Sequence, residues 1–226
     1  MRDGLPRQAE LSGVLTRARD LGFLGPGPVQ AHVEQARVFA DVLAAERVGA
    51  DHAESVPEES GVDLGSGAGT PGLILALDPR LASWRWVLVE AMAKRASFLT
   101  AAIEHLDLVD RAQVMHGRAE ELARNPHLRY RSSVVVARSF GAPPVVAECA
   151  VGFLIRGGRL LVSEPPGQGS AVDRGRWPKE GLELLGLTAE KAVRRLGGGV
   201  VQLRRTGADD DRYPRRTGVP RKRPSF

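Results

Sequence analysis

The stretch Val62-Asp63-Leu64-Gly65-Ser66-Gly67-Ala68-Gly69-Thr70-Pro71-Gly72 reads as a short buried strand, a glycine-rich turn and the start of a helix. Glycine carries no Cβ, so such a turn bends sharply and lets the backbone approach a ligand. Pro71 suits a first helical turn, where its missing N–H is not needed. In an open parallel sheet a turn of this kind lies at the carboxyl edge, where ligands bind.

Working outward, apolar runs at 84–89 (WRWVLV), 132–137 (SSVVVA) and 158–163 (GRLLVS) predict further strands. Helical patterns over 71–78, 92–107 and 143–155 alternate with them. A weaker strand is expected over 111–115, and a late one over 200–205, where the glycines at 197–199 favour an antiparallel hairpin at the sheet edge. Buried strands alternating with helices predict an α/β fold with a mostly parallel sheet covered on both faces. Upstream, Leu11, Val14, Leu15, Ala18 and Leu21 have helical spacing within 6–21. Val33, Ala36, Phe39, Ala40 and Leu43 line one face of a second helix over 29–47, and GPGP at 25–28 turns the chain between the two. Residues 49–59 read as a polar surface linker.

Composition bounds the function. The 226 residues, 42% hydrophobic and 26% charged, can bury a core without staples. A single cysteine, Cys149, excludes an intramolecular disulfide framework and a multi-cysteine zinc site. His32, His52, His105, His116 and His127 are scattered, so no metal is expected. No apolar run reaches the roughly 18 residues needed to span a membrane and the N-terminus has no signal-peptide core, which predicts a cytoplasmic protein without a membrane segment. The net charge of +5 is concentrated at the C-terminus. There GADDDRYPRRTGVPRKRPSF, 207–226, reads as an extended, proline-punctuated arm lying away from the glycine loop.

Two cofactor readings compete for the loop. From Gly67 it fits G-x-G-x-x-G, a dinucleotide fingerprint; from Asp63 it fits D-x-G-x-G-x-G, which resembles motif I of class I S-adenosylmethionine methyltransferases. Both readings want a carboxylate at the end of the next strand to accept hydrogen bonds from ribose hydroxyls, and Glu90 stands there. A dehydrogenase normally adds a sizeable substrate domain, for which the chain has no room, so the methyltransferase reading is preferred.

Several ordered pieces together resemble one family, the small-subunit rRNA methyltransferase G family, also called glucose-inhibited division protein B. They are DLGSGAGTPG at 63–72, LVEAMAKRASFL at 88–99, GRAEEL at 117–122, VVVARSFG at 134–141, GGRLLV at 157–162 and the closing YPRRTGVPRKRPSF. The resemblance implies a Rossmann-like class I methyltransferase fold with an antiparallel last strand, preceded by N-terminal helices. It divides the chain into a helical segment at 1–58, a methyltransferase domain at 59–206 and a basic arm at 207–226. It implies methyl transfer from S-adenosyl-L-methionine to N7 of a guanine in 16S rRNA of the small ribosomal subunit, by a protein expected to be monomeric.

The resemblance also carries site residues. Gly65, Gly67, Gly69 and Thr70 would cradle the cofactor, and Glu90 would hold its ribose. Ala119 and Glu120 would bracket the adenine, and Arg138 would face the methyl-donor crevice. Arg212, Arg215, Arg216, Arg221, Lys222 and Arg223 are the expected RNA contacts. No catalytic base is named, because guanine N7 carries an exposed lone pair. Cys149, Trp84, Trp86 and Trp177 read as packing residues. The family's R-H-x-x-D-S helix appears only as Ala31-His32-Val33-Glu34-Gln35-Ala36, and its lysine-glycine after the fifth strand is replaced by Ser163-Glu164-Pro165-Pro166-Gly167. Two other functions remain open at this level: a non-catalytic RNA- or ribosome-binding paralogue, and a small-molecule methyltransferase.

Overall fold

The valine-rich strand β4 (Ser132–Ala137) is buried along its whole length, as a central parallel strand covered on both faces must be. The structure is a computed structural model describing residues 4–45, 59–165, 171–195 and 198–226. In it β1 (Ser60–Leu64) lies between β4 and β2 (Arg85–Glu90), parallel to both. With β3 (Ala112–His116), β5 (Leu154–Glu164), β6 (Leu187–Arg195) and β7 (Gly198–Arg205), they form a seven-stranded sheet of order β3-β2-β1-β4-β5-β7-β6. Strand β7 alone runs antiparallel, inserted between β5 and β6. The expected Rossmann-like arrangement with an antiparallel last strand is therefore observed.

Successive side chains on a strand point to opposite faces, and the two cores follow that alternation. Val134 and Val136 pack with α1 (Gly4–Asp20), α2 (Val29–Ala45), α3 (Gly72–Leu77) and α4 (Ala93–His105). Val135 and Ala137 face the other way, toward α5 (Ala119–Leu122), α6 (Pro143–Val151), α7 (Lys179–Leu184) and the C-terminal residues Tyr213 and Phe226. The N-terminal helices thus cover one face, and the tail joins the other. Among the described residues no helix is long and apolar enough to cross a membrane.

Three differences from the sequence expectations have physical reasons. Helix α6 stops at Val151 and β5 already begins at Leu154, which pairs with Ser132 before a shift in register. The apolar run 143–155 spans both elements because both are buried, so periodicity alone does not divide them. Strand β6 pairs antiparallel with β7 at the sheet edge, in keeping with the hairpin expectation, but its range is not marked in the sequence: it is partly exposed, charged at Glu190, Lys191 and Arg194, and carries no apolar run. The linker expected over 49–59 lies, apart from Glu59, outside the described residues.

The third difference is the tail, which is packed rather than extended. Arg215 donates to both oxygens of Glu148 on α6, at 2.8 and 2.6 Å, and the Glu148 side chain is wholly buried. Arg124 and Arg129 bind the backbone carbonyls of Pro214 and Tyr213. Pro214 and Pro220 are buried, and the Phe226 ring sits so close to Gly181 of α7 that a Cβ there would lie 2.3 Å from it. Arginine pairs and carbonyl bonds hold this segment, and neither leaves a hydrophobic pattern in the sequence. The short helix α8 (Val219–Lys222) completes it.

Candidate active site

Strand register assembles the site. Leu64 lies opposite both Val89 and Ala137, so the next residues of each strand, Gly65, Glu90 and Arg138, leave the sheet side by side at its carboxyl edge. This is the switch point of the topology, where the chain connects β1 to neighbours on either side.

The glycine loop is pinned at both ends by Asp63. Its Oδ2 accepts from the Ser66 hydroxyl at 2.5 Å and from the Gly72 N–H at 3.0 Å. Burial pushes the Asp63 carboxyl up to about 6, against the pull of those two bonds. Its other oxygen, Oδ1, is buried without a hydrogen-bond partner among the described residues. Gly65 has φ +66°, and a Cβ there would meet the Phe140 ring at 2.6 Å. Gly69 packs against Leu73 and so shapes the turn rather than facing a ligand.

Glu90 clasps the loop. Its Oε2 accepts the Gly67 N–H at 2.9 Å and its Oε1 the Met92 N–H at 2.8 Å. Each carboxylate oxygen retains a lone pair, so the pair of oxygens can still accept from two vicinal hydroxyls. Beside it a cavity of about 470 Å³ opens, lined among others by Gly65, Glu90, Met92, Ala119, Glu120 and Phe140. A larger cavity of about 880 Å³ lies between α1, α2 and the end of α4. None of the glycine-loop or strand-end residues reaches it, so the smaller cavity is assigned as the site.

Glu120 stands at the start of α5 with its carboxylate already engaged. Oε1 accepts from the Gly218 N–H at 3.0 Å and from Arg118 at 3.2 Å. Burial pushes its pKa up, but the Gly218 N–H, its own N–H and Arg118 outweigh burial and hold the carboxyl below the usual range.

Arg138 directly follows β4 at the same carboxyl edge of the sheet. Its guanidinium donates to Gln35 Oε1 at 2.7 Å, to Thr70 Oγ1 at 2.8 Å and to His32 Nδ1. The second His32 nitrogen, Nε2, must then carry the proton and donate to the Gly25 carbonyl at 3.1 Å. Burial, followed by the adjacent Arg138 charge, lowers the His32 pKa and keeps the ring neutral near pH 7. Among the described residues these contacts of Arg138 are therefore to neutral acceptors. Burial pulls the Arg138 pKa down, and only the more distant Asp63 charge opposes it. A half-buried cation held by neutral groups is a ready partner for a carboxylate.

These features fit a nucleoside cofactor bearing an amino-acid end. Spare lone pairs of Glu90 suit ribose hydroxyls, the cavity beside Ala119 and Glu120 suits a purine, and Arg138 suits a carboxylate.

The eight residues proposed for the cofactor all lie at the carboxyl edge. Gly65, Glu90, Ala119 and Glu120 line the cavity, whereas Gly67, Gly69, Thr70 and Arg138 flank it. The six proposed RNA contacts are not equivalent. Arg215 is taken by Glu148, Arg212 is paired with Asp210 at 2.7 Å, and Arg221 lines the cavity itself. The placement of the arm away from the loop is thus corrected: hydrogen bonds to Glu120, Glu148 and Arg124 draw it across to the crevice. Arg216, Lys222 and Arg223 are exposed and make no ion pair among the described residues.

Sequence reasoning missed Gln35, Phe140, Arg118 and Pro224 as site neighbours, and gave His32 no role. The only signal for His32 and Gln35 was their place in the altered R-H-x-x-D-S helix. Cys149 is buried and its thiol is pushed up, first by burial. Trp177 is buried with its indole N–H on Glu164 at 3.0 Å, while Trp84 and Trp86 stack in the core.

Comparison with known proteins follows the same lines. Ribosomal RNA small subunit methyltransferase G of Synechococcus sp. is 33% identical over 172 residues, covering 72% of this chain and 69% of that protein. The protein of the same name from Deinococcus deserti is 37% identical over 173 residues, covering 73% and 68%. An O-methyltransferase from Bacillus cereus, solved in complex with SAH, shares the fold with a TM-score of 0.59, at 17% identity over 88% of this chain and 91% of that one. The profile of the rRNA small subunit methyltransferase G family matches residues 37–165, which hold the glycine loop, Glu90, Glu120 and Arg138, and the chain belongs to that family.

Proposed function

We propose that the protein transfers a methyl group from S-adenosyl-L-methionine to N7 of a guanine in 16S rRNA, in the cytoplasm. The observation that carries this reading is the Glu90 clasp on the Gly67 and Met92 amides, set between Glu120 and Arg138 in a chain of this family. The bound cofactor supplies an activated methyl sulfonium. The chain supplies position. Glu90 would accept from the ribose hydroxyls, Arg138 would take the carboxylate, and the glycine loop would let the backbone approach the cofactor.

Guanine N7 needs no deprotonation, so holding donor and acceptor in line is the main task. Such alignment is worth roughly 7–11 kcal/mol in favourable cases. The phosphates of the RNA are met by the exposed cations Arg216, Lys222 and Arg223, whose contribution weakens with salt.

The test is methyl transfer to 30S subunits, naked rRNA and total tRNA, with mass mapping of the product. Methylation of a 16S guanine at N7 is expected. Transfer to tRNA alone, or to another atom, overturns the substrate assignment while leaving the cofactor reading standing.

A further inference from the structure

We infer that the C-terminal tail is a wall of the cofactor site, with Arg221 and Pro224 closing the end where the adenine lies. The inference rests on the cofactor reading above. Both residues line the same cavity as Glu90, Ala119 and Glu120, although more than a hundred positions separate them from Glu120 in the chain.

The tail is not laid against the cavity loosely. The Gly218 N–H donates to Glu120 Oε1, the residue expected to bracket the adenine, and Thr217 Oγ1 donates to Glu121 Oε1 at 2.8 Å. Upstream, Arg215 is locked on Glu148, and at the far end Phe226 packs on Gly181. Arg221 and Pro224 therefore hang between two fixed points, over the cavity mouth.

The chemistry suits a purine. A guanidinium is planar, stacks on aromatic faces and offers donors to ring nitrogens. Proline adds a rigid apolar surface with little freedom to lose. The tail acts on Glu120 in a second way. Together with Arg118 it holds Oε1, which fixes the orientation of that carboxylate beside the cavity.

The experiment uses the full-length protein and S-adenosylhomocysteine in a calorimeter. Arg221→Ala is expected to raise Kd about five- to tenfold, the loss of one cation–π-type contact in a partly desolvated site. Methylthioadenosine, which lacks the amino-acid end, should weaken by the same factor. The melting temperature should not move, because Arg221 is exposed and makes no ion pair among the described residues. A second measurement needs no mutation: trypsin cuts after Arg221 and Lys222, and saturating S-adenosylhomocysteine should slow that cleavage several-fold. Unchanged affinity in Arg221→Ala, or cleavage indifferent to the ligand, overturns the inference. Wild-type protein that binds neither ligand overturns the cofactor reading as well, which tells the two failures apart.

Discussion

Two distant regions of the chain meet residues at the carboxyl edge of the sheet, α2 at Arg138 and the tail at Glu120, and they do so by different physics. Helix α2 docks on one face of the sheet through Val33, Ala36, Phe39, Ala40 and Leu43, all buried. It presents His32 and Gln35 to Arg138 as by-products of an apolar packing. The tail docks on the other face largely through arginines, carboxylates and backbone carbonyls. Apolar docking is spread over many weak contacts and tolerates the loss of one. Polar docking rests on a few pairs, and breaking the one at Glu148 leaves a buried charge behind.

The largest effect should therefore come from the tail. Arg215→Ala strands the buried Glu148 carboxylate and is expected to lower unfolding free energy by about 3 kcal/mol, the lower end of the range for breaking a buried pair. Urea denaturation measures it; a loss below about 1 kcal/mol would show the tail to be dispensable. Glu148→Gln should recover part of that loss in the Arg215→Ala background, because it removes the stranded charge.

Glu90 sits between the two regions and should matter to the ligand more than to the fold. Glu90→Ala removes acceptors from a charged group, worth roughly 1.5–3 kcal/mol of binding, or about ten- to a hundredfold in the Kd for S-adenosylhomocysteine. Titration calorimetry reads it, and an unchanged Kd would move the ribose elsewhere.

On the α2 side a smaller effect is expected. His32→Ala leaves one Arg138 N–H without its acceptor, and kcat/KM should fall about tenfold through a rise in cofactor KM. His32→Gln, which keeps an acceptor at similar reach, should restore most of it. A mere packing role for His32 would give no such rescue.

The smallest effect concerns the loop they share. The Asp63 carboxyl titrates at about 6 in the folded protein, above its ordinary 3.8, so the fold favours the protonated form. Its contribution is present in full at low pH and is lost as pH rises from about 4 to about 6. Relative to Asp63→Asn, the wild-type protein should lose on the order of 1 kcal/mol of stability between pH 5 and pH 7. Parallel stability profiles for the two proteins would contradict that placement of Asp63.

The same contrast explains what could be read from the sequence. Strand β4 and the loop at 62–72 were legible because a parallel strand buried on both faces leaves an unbroken apolar run, and because a tight turn needs glycine. Glu90 was legible because it ends such a run. The face of α2 was legible from its period, but the contacts from Arg138 back to Gln35 and His32 span 103 and 106 positions and have no local signature. The tail was misread as extended for the same reason: the Arg215–Glu148 pair joins residues 67 apart. Its basic residues looked alike in the sequence, yet their neighbours divide them into a structural pair, a cavity wall and exposed charges.

That both chain ends close on one cofactor is tested most directly by hydrogen exchange with and without S-adenosylhomocysteine, read by mass spectrometry. Binding should slow exchange in the peptide around His32–Gln35 and in the peptide spanning Arg215–Pro224, as well as in the glycine loop. Protection of the glycine loop alone, with both end segments exchanging as before, would contradict the account.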